Sequence, residues 1–289
     1  MAFKSLVRFA HDSCEHYGDL LEYNEGAGTF LVQKLDGSPF GTLTVTGETL
    51  QVEQLLCPLE DTPTIICVGL NYREHATEAK LEIPRDPVIF TKPPDALATS
   101  DEPIPIHPDA QAMLDYEGEL VVVIGRDSKE ITEADALDYV LGYTSGNDLS
   151  ARDFQGPSSI SGGQFCYAKS FDGFAPIGQY ITAAAEVPDP QGLFLVTKVN
   201  GVQRQASSTS DMIWTVRRLI AHLSRGRTLR AGSLIMTGTP SGVGYATNQF
   251  LRDGDLVEVS ISGLATTTNT ISFEKAILHG ESKQSGVDV

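Results

Sequence analysis

The chain has 289 residues, 41% hydrophobic and 20% charged, the balance of a folded globular protein long enough to bury a sizeable core. A formal net charge of −17 disfavours nucleic acid and anionic lipid as partners, because both require basic patches. The longest apolar runs, such as 120–124 and 234–236, fall far short of the ~20 residues of a membrane span, so no membrane partner is expected.

Residues 1–8 lack the apolar stretch of a secretory signal. Cys14, Cys57, Cys67 and Cys166 are scattered without a C-x-x-C pair, as expected of reduced thiols in the cytoplasm or the mitochondrial matrix. Residues 1–60 alternate short apolar runs with turn signals at Asn24-Glu25-Gly26, Asp36-Gly37 and Gly47, which predicts a small N-terminal β domain. A proline- and acid-rich loop then leads into residues 64–69, a continuous apolar strand that opens a main domain over 61–280. Further strands are expected at 87–92, 117–124, 194–202, 233–237, 256–261 and 270–273. Asn200-Gly201 signals a two-residue hairpin turn. One helix is expected from Thr132, capped with Asp135 and presenting Ala134, Leu137, Val140 and Leu141 on one face. A second is expected over 211–224, burying Met212, Val216, Leu219 and Leu223, with Gly226 to stop it. Residues 281–289 read as a tail. Many strands, few helices and no βαβ alternation predict an α+β, mainly β fold.

Five short stretches could carry chemistry. In Asp115-Tyr116-Glu117-Gly118-Glu119, alternate strand residues face one way, so Glu117 and Glu119 would project together. Most such triplets are solvated edges, but this one leads into the apolar run 120–124, where carboxylates are costly unless paired or ligated. Asp148 opens a second acidic stretch with Arg152 and Gln155, either as a third oxygen ligand or as a helix cap. Three carboxylates without neighbouring His or Cys suit Mg²⁺ or Mn²⁺. Zinc is disfavoured, since the six histidines form no His-x₃-His pair. His75 and Glu78 follow the 64–69 strand at helical spacing, as a general base with its orienting carboxylate or as a surface pair. Lys169 lies among aromatic residues, where burial or a metal would tune it. The glycine–threonine loop 236–244 could offer N–H and hydroxyl groups to a carboxylate; it has neither Walker nor dinucleotide-fingerprint spacing.

Taken in order, Gly69-Leu70-Asn71-Tyr72 with His75 and Glu78, Glu117-Gly118-Glu119, Asn147-Asp148 with Ala151-Arg152-Asp153, Ala168-Lys169-Ser170-Phe171 and Thr237-Gly238-Thr239-Pro240 resemble the fumarylacetoacetate hydrolase superfamily over residues 64–276. The resemblance implies a mixed β-sandwich roll, a homodimer, and Mg²⁺ or Mn²⁺ held by Glu117, Glu119 and Asp148. It also implies Lys169 at a substrate oxyanion, His75 with Glu78 on a lid, and Lys92, Arg152, Gln155 and Thr239 lining the substrate pocket. One departure is Phe165, where relatives often carry Trp. The implied substrate is a small 2-oxo or 1,3-diketo acid. Acylpyruvate-type C–C hydrolysis stands first among the reactions, with oxaloacetate decarboxylation or keto–enol tautomerisation beside it and 2-hydroxyhepta-2,4-diene-1,7-dioate isomerisation behind. The alternative of a different class is a non-catalytic binding protein on the same fold.

Overall fold

A computed structural model describes residues 2–156 and 162–275, so the 281–289 tail lies outside the described residues. The fold is mainly β. Its main sheet runs in the spatial order Leu43–Val52, Thr29–Gly37, Cys14–Asn24, Ser5–His11, Ile181–Ala183, Val140–Asn147, Gly118–Ile124, Leu234–Met236, Ile65–Gly69 and Val88–Lys92. A second, five-stranded sheet joins Val202–Ser208, Phe194–Val199, Leu256–Ile261, Thr267–Phe273 and Ile104–Ile106. The first four strands form an antiparallel meander, and Leu6 opposite Ile181 attaches it to the rest of the main sheet.

Gly118–Ile124 is the central strand, and every residue in it is buried. Its even and odd residues enter different cores. Leu120, Val122 and Ile124 pack with Val216, Leu219, Ile220 and Leu223 of the Val216–Leu223 helix. Val121 and Val123 pack with Phe90, Ile177, Leu234 and Met236. Burial on both faces explains why this strand reads as an unbroken apolar run and not as an alternating one.

The Val216–Leu223 helix is shorter than the 211–224 expectation. Thr215 caps it, accepting the Arg218 N–H at 3.3 Å. Upstream residues are held out of the helix by Asn71, whose side chain accepts the Trp214 N–H at 2.8 Å while its carbonyl accepts that of Ile213 at 2.7 Å. The helix expected from Thr132 does not form. Its cap does, with Thr132 Oγ1 donating to Asp135 at 2.7 Å, but only a 3₁₀ turn, Ala136–Tyr139, comes after it. Val140 and Leu141 instead begin the Val140–Asn147 strand, whose ladder with Gly118–Ile124 outweighs one apolar helix face. Asn200 and Gly201 adopt φ of 51° and 74°, as a type I′ hairpin requires, and bring Val199 opposite Val202. Among the described residues no helix is long and apolar enough to cross a membrane.

Gly201 has open space around it, so Gly201→Ala should lose only the backbone preference, about 1–2 kcal/mol. Leu219→Ala, which opens a void between helix and sheet, should cost about 2–5 kcal/mol. Urea unfolding of the two variants beside the parent checks both values.

Candidate metal centre and active site

The site forms where two paired strands end. Gly118 lies opposite Asn147, and just beyond the ladder the Asp148 N–H donates to the Glu117 carbonyl at 2.8 Å, while the Glu117 N–H donates to the Asn147 side chain at 2.9 Å. Gly118 must lack a side chain, since a Cβ there would stand 2.1 Å from Thr197 Oγ1 on the second sheet. Its N–H is taken by Gln205 Oε1 at 3.0 Å. Residues 117 and 119 therefore project to one side and meet Asp148. One oxygen from each of Glu117, Glu119 and Asp148 lies within 4.8 Å of the others, and all three residues are buried.

Cations surround two of the three carboxylates. Lys169 Nζ donates to Glu117 at 2.8 Å, to Asp148 at 2.7 Å and to the Ser150 hydroxyl at 2.7 Å. Arg152 reaches Glu117 Oε1 at 2.6 Å and Asp115 at 2.8 Å, and Lys92 Nζ lies 2.6 Å from Asp148 Oδ1. Burial opposes ionisation of Glu117, but Lys169 and Arg152 outweigh it and pull the carboxyl down to about 2. Burial likewise disfavours charge on Lys169, yet the Asp148 and Glu117 carboxylates hold its ammonium above the usual range.

Glu119 is different. It accepts the Gly238 N–H at 2.7 Å but forms no salt bridge among the described residues. Burial first, then the Asp148 and Glu117 charges, pushes its carboxyl well above the usual range. A buried carboxylate beside two others and lacking its own cation is the environment that a divalent ion would relieve. An all-oxygen donor set fits a hard ion such as Mg²⁺ or Mn²⁺.

A cavity of about 760 Å³ opens over this floor. Glu117, Arg152, Gln155, Lys169 and Thr239 line its inner part, and Arg152 donates to Gln155 at 2.8 Å. Thr239 donates to the Gly118 carbonyl at 3.0 Å and accepts from Gln205 at 2.8 Å, tying the 237–240 loop to the strand that carries Glu119. His75 and Glu78 stand at the rim, on the Arg73–Glu78 helix. His75 Nδ1 lies 3.0 Å from Glu78, whose carboxylate accepts the Gly242 N–H at 3.1 Å. Phe165 also lines the cavity, edge-on to Phe90.

Lys92 corrects its expected role. Its side chain is buried behind Asp148, within reach of the Leu149 and Phe174 carbonyls, and it does not line the cavity. Two carbonyls and the Asp148 carboxylate surround its ammonium, so in this structure it backs Asp148 and is not part of the cavity lining.

The fumarylacetoacetate hydrolase C-terminal family model matches residues 64–272. The chain belongs to the fumarylacetoacetate hydrolase family. It is 43% identical to the oxaloacetate tautomerase YisK of Bacillus subtilis over 211 residues, 72% of this chain and 69% of that one. It is 38% identical to the Xenopus laevis mitochondrial oxaloacetate tautomerase fahd2 over 219 residues, 75% of this chain and 68% of that one. The crystal structure of a 2-hydroxyhepta-2,4-diene-1,7-dioate isomerase from Mycobacterium marinum superposes with a TM-score of 0.80 at 36% identity, covering 94% of this chain and all of that one.

Within this family architecture, two supporting residues carry little signal in the sequence. Gln205 sits in a hairpin strand far from the motifs, and nothing in its local sequence marks it as the partner of Gly118 and Thr239. Asp115 precedes the acidic pair at the same alternate spacing, the one local hint of its role, but it turns to Arg152 and not to the other carboxylates.

Adding Mg²⁺ or Mn²⁺ should raise the Tm of the apo protein, by the equivalent of about 2.7 kcal/mol at a hundredfold excess over Kd. In Glu119→Gln the rise should disappear while the apo Tm stays level, because burial and the neighbouring carboxylates already disfavour the charged form of Glu119 and Gln keeps its shape. Differential scanning calorimetry with and without EDTA reads both effects.

Proposed function

We propose that this family enzyme interconverts the keto and enol forms of a small 2-oxo dicarboxylate, with oxaloacetate as the leading substrate. The observation that carries the reading is the His75–Glu78 pair, anchored to Gly242 at the rim of a cavity whose inner wall presents Lys169 and Arg152. Similarity to two proteins named oxaloacetate tautomerase supports tautomerisation over the hydrolysis that the sequence motifs put first.

Tautomerisation moves one proton between carbon 3 and the enol oxygen and needs no water. A divalent ion bound at Glu117, Glu119 and Asp148 would supply Lewis-acid charge to the bound 2-oxo acid. Lys169 and Arg152 bring positive charge to the inner wall of a strongly acidic protein, where an anionic substrate must be held. With Glu78 accepting the Nδ1 proton of His75, Nε2 carries the lone pair and can take or return the substrate proton. Thr239 and Gln155 offer a hydroxyl and an amide to the same space.

A second reading has its own support. The outer wall includes Leu81, Val88, Phe90 and Phe165, and the cavity has room for an acyl group that oxaloacetate lacks. For an acylpyruvate, His75 would deprotonate a water that attacks the distal carbonyl. The C–C bond then breaks, its electron pair leaving as the enolate of pyruvate, which takes the proton from His75 to give pyruvate beside the released carboxylic acid.

Enol-oxaloacetate decay, acetylpyruvate hydrolysis and pyruvate release from oxaloacetate, each measured with Mg²⁺ or Mn²⁺, distinguish tautomerase, hydrolase and decarboxylase. Tautomerase activity should dominate and fall about 10²- to 10⁴-fold in His75→Ala. Acetylpyruvate turnover exceeding that of enol-oxaloacetate would reverse the order of the two readings. No turnover of any 2-oxo acid, with metal binding intact, would leave a binding protein.

A further inference from the structure

Asp115 is fully buried and does not line the cavity, yet its carboxylate is the most heavily used acceptor near the site. Oδ1 accepts the N–H groups of Tyr116 at 2.9 Å and Gly244 at 2.7 Å. Oδ2 accepts the Tyr245 N–H at 2.9 Å and Arg152 Nε at 2.8 Å. Two separate parts of the site meet on this one side chain.

The first part is the cationic inner wall. With Nε fixed by Asp115, the Arg152 guanidinium directs its two remaining nitrogens to Glu117 at 2.6 Å and Gln155 at 2.8 Å. A planar guanidinium with one edge anchored has little freedom to turn, so Asp115 sets where its charge points.

The second part is the loop that carries the dyad's anchor. Gly244 and Tyr245 are held by Asp115, and the hydroxyl of the adjacent Tyr116 donates to the Gly242 carbonyl at 2.9 Å. Gly242 in turn donates its N–H to Glu78, which holds His75. Both positions need glycine. A Cβ on Gly244 would stand 2.5 Å from Asp115 Oδ1, and Gly242 has φ of 99° with the Arg204 carbonyl 2.1 Å from where its Cβ would be.

We propose that Asp115 is a positioning residue that holds the Arg152 charge and the His75–Glu78 dyad in one fixed relation across the cavity. The kinetic consequence rests on the proton-transfer role proposed for His75; the mechanical linkage does not. Asn at 115 keeps the shape but turns one acceptor into a donor, and because each oxygen holds one N–H of the loop, it releases either Gly244 or Tyr245 together with Arg152.

The test uses the full chain with Mg²⁺. In Asp115→Asn, amide hydrogen exchange at residues 242–246 and 73–78 should accelerate at least ~10-fold, as expected when a held segment opens locally. Exchange over the Phe194–Val199 and Val202–Ser208 hairpin should stay unchanged. kcat should fall about 10- to 100-fold, the scale of a small misplacement of reacting groups, with the Mg²⁺-induced rise in Tm retained. In the His75→Ala background the added kcat loss should shrink, because only the Arg152 half of the linkage is left to position. Tyr116→Phe, which removes only the link to Gly242, should accelerate the same two segments and covers the case in which Asp115→Asn does not fold. Unchanged exchange at 242–246 and 73–78 in a folded variant overturns the proposal, as does a kcat loss that simply multiplies with that of His75→Ala. If the parent turns over no 2-oxo acid, the functional reading fails, while the exchange measurement still decides the linkage.

Discussion

Three carboxylates crowded into a buried space at the end of a core strand are the constraint around which the rest of this site is arranged. Taking one such group out of water is costly, and placing a second and third with oxygens within 4.8 Å adds repulsion that only nearby positive charge offsets. Lys169, Arg152 and Lys92 neutralise Glu117 and Asp148 and leave Glu119 unmatched. That imbalance is the physical argument for a divalent ion. It also reconciles a strongly acidic protein with an anionic substrate, because the added charge would make the floor of the cavity locally positive.

Rigidity underneath makes the crowding sustainable. The Gly118–Ile124 strand is clamped between two antiparallel neighbours and packed on both faces, so the backbone presenting the carboxylates has nowhere to relax. Gln205 and Thr239 bind the N–H and C=O of Gly118, bringing the second sheet and the 237–240 loop onto the same residue. The floor is thus made of regular strands, while His75 and Glu78 sit on a short helix joined to the 242–246 loop through the Gly242 N–H.

This division explains how one family architecture accommodates tautomerase, isomerase and hydrolase names among similar proteins. On the proposed reading, the floor holds a 2-oxo acid and its developing negative charge, a need common to all three reactions. The reaction's outcome depends on how the rim then acts: returning a proton to carbon or oxygen, or drawing one from water. The residues from which that choice is made are few, and they lie on the rim and the outer wall.

The acidic pair, the buried strand behind it and the Asn200-Gly201 hairpin were legible in the sequence because each depends on residues adjacent in the chain: alternation on a strand, an apolar run, two residues that tolerate positive φ. The glycine–threonine loop and His75 with Glu78 were visible as local patterns, but not the bond from Gly242 that joins them. The expected helix from Thr132 failed because an apolar face at helical spacing also suits a strand buried on both sides, and only pairing partners distant in sequence decide between them. Lys92 was misplaced for a related reason: a lysine's neighbours in the chain do not reveal whether its ammonium faces a cavity or the back of a carboxylate. The sequence by itself determined which chemical groups were available and the local conformation of their segments. The tertiary structure alone decided which of those groups meet, which charge stays unmatched and which residues hold the others still, because such contacts join segments far apart in the chain and carry no local signature.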